Sequence, residues 1–316
     1  MISCTIIPVA NLGAKLLAIW WNKKSFFSLM KYLESPEFNA HNEVQNRYIQ
    51  VVHQFAKVLL KILIAIVAGY VVVTGVSPFI TDTAMMIPPP NDMGKYNLFY
   101  KIIHIFMQFY LGSTSICHDL LFMTLFGLCI AQLNILQHKL LNVYEEALEL
   151  SVEVGLSSRF TEKQLLKDCV ILHETIHQYV GRLSIVVSFP LSLQYFCGCF
   201  LICSIILQLT ILDQTDTFSL LSIISIATII FSQLACYHWL GNEIALKSSN
   251  IIEACYLSNW YNLNHESQMT LLLLMENAKQ PLPVQLYKII HISLESLGVI
   301  FRWSYSLFAL IKARYS

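Results

Sequence analysis

"LSIVVSFPLSLQYFCGCFLICSIILQLTIL", residues 183–212, runs for thirty residues without an Asp, Glu, Lys or Arg. About 20 apolar residues in a helix, rising ~1.5 Å each, cross the ~30 Å hydrocarbon layer of a bilayer. A buried helix of a soluble domain has no need of such length. The stretch therefore reads as a membrane crossing, and the fold depends on whether it stands alone.

It belongs to a series. Ile62–Ile80 and Thr217–Asn242 are also free of formal charge. Ile102–His138 is interrupted only by Asp119, Met1–Trp21 only by Lys15, and Ile289–Ile311 only by Glu295 and Arg302. Six spans follow, at about 1–21, 62–80, 102–133, 183–212, 217–242 and 289–311. The run around Asp119 is longer than a bilayer is thick, so its helix is expected to continue into water. The fold class is all-α: one polytopic membrane helical bundle over residues 1–316, with helices extended into the cytoplasm.

Composition agrees. The 316 residues are 56% hydrophobic and 13% charged, against roughly a quarter charged in soluble domains. Twenty basic residues balance twenty acidic ones, which leaves no basic footprint for nucleic acid. The nine cysteines include no CxxC pair. Most lie in apolar runs and read as small hydrophobes in the packing.

Lys and Arg set the orientation. Fourteen of them fall in one set of connections, between Lys23 and Lys61, Lys139 and Arg182, and Lys247 and Lys288, against four in the other set and at the C-terminal end. The first set is expected in the cytoplasm, where residues of about 134–182 and 243–280 would form protruding anchor helices. Both chain ends are then expected outside. Lys15 is expected to snorkel to the inner boundary.

Several features carry possible chemistry. "ILHETIHQYV", residues 171–180, contains His173, Glu174 and His177 in the His-Glu-x-x-His spacing of zinc proteases. A zinc site needs a third protein ligand, and no histidine follows at short spacing. An intramembrane zinc metalloprotease is the alternative reading; the favoured reading requires no enzyme, metal or cofactor. Asp119 and His118 within an apolar helix read either as a functional site or as an interior contact between helices. Pro190 should kink its helix. "MMIPPPND", residues 85–92, is a stiff outer connector or a lid. Glu295 and Arg302 share nearly one face of the last helix and either line an aqueous path or pair with neighbours. A transporter is a third reading, although no internal repeat is visible.

"LLLLMENAKQPLPVQLYKIIHISLESLGVIFRWSYSLFALIKARYS", residues 271–316, resembles the C-terminal region of insect odorant receptors. The pieces are an apolar run ending near Gln-Pro, then "ISLESL", then "SYSLFALI". Upstream, residues 117–140 resemble the family's fourth span, and residues 172–203 resemble the lead into its fifth, where a histidine is common. The resemblance covers essentially the whole chain. The family has seven spans, and Met1–Trp21 is similar to its second, so the first is expected to be missing, as in a truncated product or an incomplete gene model.

The resemblance implies an odorant-gated cation channel subunit in the cell membrane of sensory neurons. It implies assembly into a hetero-tetramer with a common co-receptor, which this chain does not resemble in the length of its second cytoplasmic connection. The ligand would be a small volatile. Its pocket would lie among the outer halves of four spans, here residues 1–10, 70–80, 100–112 and 217–227, where Tyr70, Thr74, His104, Met107, Tyr110 and Phe218 offer an apolar cavity with a few polar groups. The final helix would line the pore. Phe301, Ser304, Phe308 and Ile311 recur on one face of it, and an apolar ring at Phe308 and Ile311 would gate by dewetting.

Overall fold

The computed structural model describes residues 3–38, 42–80, 97–155, 157–211 and 217–315. Nine helices carry most of these residues: α1 (Ser3–Trp21), α2 (Lys23–Leu33), α3 (Glu43–Ile80), α4 (Asn97–Leu141), α5 (Val143–Val154), α6 (Ser158–Ile211), α7 (Thr217–Leu257), α8 (His265–Asn277) and α9 (Leu294–Tyr315). Among the described residues five helices are long and apolar enough to cross a membrane, over Glu43–Gly75, Leu98–Leu141, Ser158–Thr210, Leu220–Leu257 and Leu294–Ala313. A shorter apolar stretch, Val9–Trp21, lies in α1. The architecture is the all-α membrane bundle that the charge-free runs imply.

The 45 residues of α4 and the 54 of α6 reach roughly 68 and 81 Å at ~1.5 Å per residue. Both exceed a bilayer, and their excess lies at the end rich in Lys and Arg. There α5 ends at Gly155, whose φ of 69° is the left-handed stop that glycine supplies without strain. The helix restarts at Ser158 and continues without a break to Ile211, Pro190 included. At the same end Asn264 caps α8 by accepting from Ser267 N–H (3.0 Å), while Glu162 of α6 accepts from Asn264 N–H (3.0 Å).

Packing differs sharply between the two ends. Toward the basic end, α4 buries Phe122, Met123, Phe126, Leu133, Leu136 and Leu140 almost completely. They meet Leu172, Ile176, Tyr179 and Leu183 of α6 and Leu240, Ile244 and Ile251 of α7 in one continuous core. Toward the other end, Phe106, Phe109 and Tyr110 of the same helix point outward. This is the arrangement of a helix that is a core element at one end and faces lipid at the other.

Between α8 and α9 the chain forms a hairpin of β1 (Gln285–Leu286) and antiparallel β2 (Ile290–His291). The last apolar stretch, read as a span from residue 289, thus gives residues 290 and 291 to a strand, and α9 begins at Leu294. Ile289 N–H closes the turn on the Leu286 carbonyl (3.0 Å), with Tyr287 and Lys288 at φ of 51° and 60°. Non-glycine residues rarely adopt that conformation, so docking must hold it. Ser184 and Ser188 of α6 accept from Gln285 and Tyr287 N–H (3.1 and 3.0 Å), and Ser248 of α7 accepts from Leu282 N–H (2.8 Å). These hydroxyls satisfy backbone donors that no helix provides for.

The hairpin is also seated on Gly241 of α7, where an added Cβ would lie 2.6 Å from both the carbonyl oxygen and Cγ2 of Ile292. Gly241→Ala must therefore push the start of α9 away from α7. Overpacking of this kind costs about 1–3 kcal/mol. Thermal unfolding of the detergent-purified protein should show a lower midpoint for G241A; an unchanged midpoint would mean that the hairpin seat yields freely.

Candidate functional site

The two isolated charges of opposite sign meet. Lys15 Nζ of α1 lies 2.6 Å from Asp119 Oδ1 of α4, with the side chains 2% and 1% exposed. Lys15 does not reach the inner boundary as a snorkelling lysine would; it turns into the bundle, where a carboxylate is a better partner than the membrane surface. Tyr237 of α7 donates its hydroxyl to the same Oδ1 (3.0 Å), and His118 Nδ1 stands 3.6 Å away. Ser115, one turn before Asp119, donates to the other carboxylate oxygen, Oδ2, at 3.4 Å. Three helices are pinned at one point. The interior-contact reading of Asp119 is thereby met.

Asp119 is also part of a wall. A cavity of about 150 Å³ opens where α1, α3, α4, α6 and α7 approach. Its apolar lining includes Leu12, Leu63, Val67, Leu201, Ile226 and Ile230. Its polar lining is Asn11, Tyr70, Gln108, Ser115, Asp119, Ser232 and Gln233. Gly112 lets α3 and α4 close beside it: a Cβ there would meet Val67 Cγ1 at 2.6 Å. A mainly apolar hollow with a few converging polar groups is the usual form of a small-molecule site.

Of the six residues proposed from sequence for the ligand, Tyr70 lines this cavity. Thr74 and His104 lie further toward the less basic end, in a buried polar cluster. Thr74 Oγ1 lies 2.7 Å from Gln108 Oε1 and 2.8 Å from the Tyr70 carbonyl, and His104 Nε2 is 3.5 Å from Gln108 Nε2. Gln108 joins this cluster to the cavity. Met107 and Tyr110, 51% and 59% exposed, point away from it. The side chain of Phe218 lies outside the described residues, as does the 85–92 connector. Sequence reading passed over Asn11, Gln108, Ser115, Ser232 and Gln233, although Lys15 and Asp119 carried a signal. Two lone opposite charges in membrane helices are expected to find each other.

On α9, Ser304 and Phe308 face the chain's own bundle, and Ser304 donates back to the Ile300 carbonyl (2.8 Å). Phe301 is 36% exposed, and Ile311 is half-buried. Glu295, Arg302, Ser306 and Ala309 are exposed on the opposite side of the helix.

The His-Glu-x-x-His residues sit on the basic extension of α6 and do not converge. His173 is buried and His177 exposed. Glu174 accepts from Gln178 Nε2 (2.9 Å), and Gln178 Oε1 accepts from the Tyr32 hydroxyl of α2 (3.0 Å). Among the described residues no three His, Cys, Asp or Glu are grouped to hold a metal. The carboxylate serves a helix–helix contact.

Fold and cavity together describe a polytopic helical bundle with a hollow among its helices. Residues 1–305 match the 7tm odorant receptor family, and the chain belongs to it. It is therefore a multi-pass membrane protein of that family. It is similar to odorant receptor Or2 of Anopheles gambiae, 24% identical over 222 residues that make up 69% of this chain and 57% of that one. It is also similar to odorant receptor 10 of Aedes albopictus, 26% identical over 46% of this chain and 38% of the relative. The chain thus spans little more than half the length of these relatives at most. Its fold is that of olfactory receptor OR5 of Machilis hrabei: TM-score 0.80 at 15% identity, over 98% of this chain and 79% of that one. OR5 is also known in complex with eugenol.

Breaking a buried ion pair by removing one partner costs about 3–5 kcal/mol, whereas replacing both by apolar residues of similar size is often neutral. Lys15→Met and Asp119→Leu should each lower the unfolding temperature of the purified protein, and the double variant should recover most of the loss. Additive losses would show that the two side chains act independently.

Proposed function

We propose that this odorant receptor is a subunit of a ligand-gated cation channel of sensory neurons, opened by a small volatile and assembled with the common co-receptor as a hetero-tetramer. In this reading the chain is one membrane domain with its Lys- and Arg-rich connections in the cytoplasm. The observation that carries the ligand part is the cavity walled by Tyr70, Gln108, Ser115 and Asp119. It takes in one of the ligand residues proposed from sequence, Tyr70, and touches the cluster holding Thr74 and His104 through Gln108. A ligand there acts on gating only if it binds the open arrangement better than the closed one.

Assembly is supported by surfaces that a lone chain leaves bare. At the basic end Met269, Leu272 and Leu273 of α8 are exposed beside Tyr256 and Leu257 of α7. Apolar surface of that kind in a water-facing region marks a protein contact, and a neighbouring subunit would cover it. For the pore, α9 is the candidate helix. Because Ser304 and Phe308 pack against the chain's own helices, we assign the aqueous path to the opposite face with Glu295, Arg302, Ser306 and Ala309. Phe301 and Ile311 flank the packed side.

The test is recording with the co-receptor co-expressed. Odorant-evoked cation current is expected, and Ser232→Phe, which fills the cavity, should abolish it without lowering surface abundance. Persistent current in S232F would remove the cavity from the reading. In the same recordings, Ser306→Cys and Ala309→Cys should be blocked by an aqueous thiol reagent applied during odorant, whereas Ser304→Cys should not. The reverse pattern would return the pore to the face of Ser304 and Phe308.

A further inference from the structure

The short helix α2 carries three lysines and no carboxylate over Lys23–Leu33. The helical period sorts its side chains. Leu29 is fully buried on one side. On the other, Lys23, Phe27 and Lys31 recur every fourth residue, with Lys24 beside them, and all four are exposed. A further cation arrives from α6. Arg182 donates to the Ser28 hydroxyl (2.8 Å), and its guanidinium carbon stands 5.3 Å from the centre of the Tyr32 ring. Ser28 is one turn from both Lys24 and Lys31, so the four charges share one patch. Among the described residues none of the four pairs with a carboxylate. Like charges gathered in this way repel one another, and an anion would relieve them.

The depth of the patch says which anion. It lies where two apolar surfaces end. Just before α2, α1 leaves Leu16, Leu17, Trp20 and Trp21 exposed. On α6 the thirty-residue charge-free run begins one residue after Arg182, and Ile185, Phe189 and Phe196 are exposed on the face that Arg182 shares. Both α1 and α2 pack on α6. Exposed side chains of a charge-free span face lipid tails, and tryptophan favours the headgroup level. A molecule that meets both surfaces is anionic at one end and hydrocarbon at the other. We infer that Lys23, Lys24, Lys31 and Arg182 bind an acidic phospholipid of the cytoplasmic leaflet whose headgroup carries phosphate monoesters. The choice of leaflet rests on the proposed cytoplasmic placement of the Lys- and Arg-rich connections.

Charge and geometry narrow the headgroup. Phosphatidylserine brings a single net negative charge to four cations, whereas a doubly phosphorylated inositol brings several. Clusters of basic residues beside a membrane helix suit lipids of that kind. The guanidinium fork matches phosphate oxygens two at a time. A hydroxyl and a ring hold Arg182 in position, so its charge is left for the ligand.

The test titrates short-chain lipids onto the detergent-purified full chain and reads the rise in unfolding temperature as binding. A dioctanoyl phosphoinositide bisphosphate should act at least about tenfold below the concentration needed with dioctanoyl phosphatidylserine. Equal potency of the two overturns the headgroup class. Free inositol trisphosphate, which lacks the tails, should be at least about tenfold weaker, because each buried methylene adds to binding. Equal affinity for it would make the ligand a soluble polyphosphate and overturn the lipid. Lys24→Gln/Lys31→Gln should weaken the phosphoinositide at least about tenfold. Lys57→Gln/Lys61→Gln, which removes the same charge from exposed positions on α3, should leave it nearly unchanged. Equal losses in the two variants would mean attraction by net charge alone and overturn the site. Arg182→Lys keeps the charge without the fork and should narrow the gap between the two lipids; an unchanged gap would overturn the role of Arg182. On intact cells Lys23→Cys should add no labelling by an impermeant thiol reagent. Added labelling would overturn the cytoplasmic placement and the leaflet with it, while the titration in detergent judges the site by itself.

Discussion

A lysine and an aspartate 104 residues apart close to 2.6 Å inside the apolar bundle, and much of the arrangement depends on that contact. Neither charge is tolerable alone in hydrocarbon. Their meeting fixes the depth and rotation of α1 against α4, and the Tyr237 hydroxyl brings α7 to the same oxygen. Apolar packing alone is permissive about such registers, because lipid tails are as greasy as leucine. A charge pair is not permissive: one turn of slippage, ~5.4 Å, would separate it.

The pair sits where packing quality changes. On its basic side Phe122, Met123, Phe126 and Tyr237 are fully enclosed. On the other side α4 turns Phe106, Phe109 and Tyr110 outward, and the cavity opens between the helices. Interiors at native density leave little room for a ligand, so a hollow is most readily kept where helices diverge. Asp119 stands at that boundary and belongs to both regions.

Much of the fold was legible because its signals are local. Charge-free runs gave the long helices, Gly155 ended α5, and the prolines at 281 and 283 fell just beyond α8. What escaped was set by contacts distant in sequence. Lys15 read as an interfacial lysine because nothing nearby in sequence shows it a partner; Asp119 is over a hundred residues on. The ligand residues followed from the family resemblance, which implied the outer halves of four helices. The cavity shares Tyr70 with them and reaches deeper, to Ser115 and Asp119, while Met107 and Tyr110 face away from it. The hairpin had no turn signature, since Tyr287 and Lys288 stand where Asn-Gly would be usual. Their left-handed backbone is held from outside by Ser184 and Ser188. His173 and His177 are the opposite case: a motif legible in sequence, set aside there for want of a third ligand, whose residues join no group of three possible metal ligands among the described residues.

The same helix that completes the ion pair also seats the last helix. Tyr237 and Gly241 are one turn apart on α7, and residues four apart share a face. Tyr237 touches the Asp119 carboxylate in the cavity wall, while Gly241 presses against Ile292 at the start of α9. Glycine at that seat brings the two backbones into contact, with no side chain of α7 between them. A helical turn is stiff along its axis. A ligand gates only by changing which arrangement is favoured. In this chain one turn of α7, Tyr237 to Gly241, contacts both the polar wall of the cavity and the base of α9.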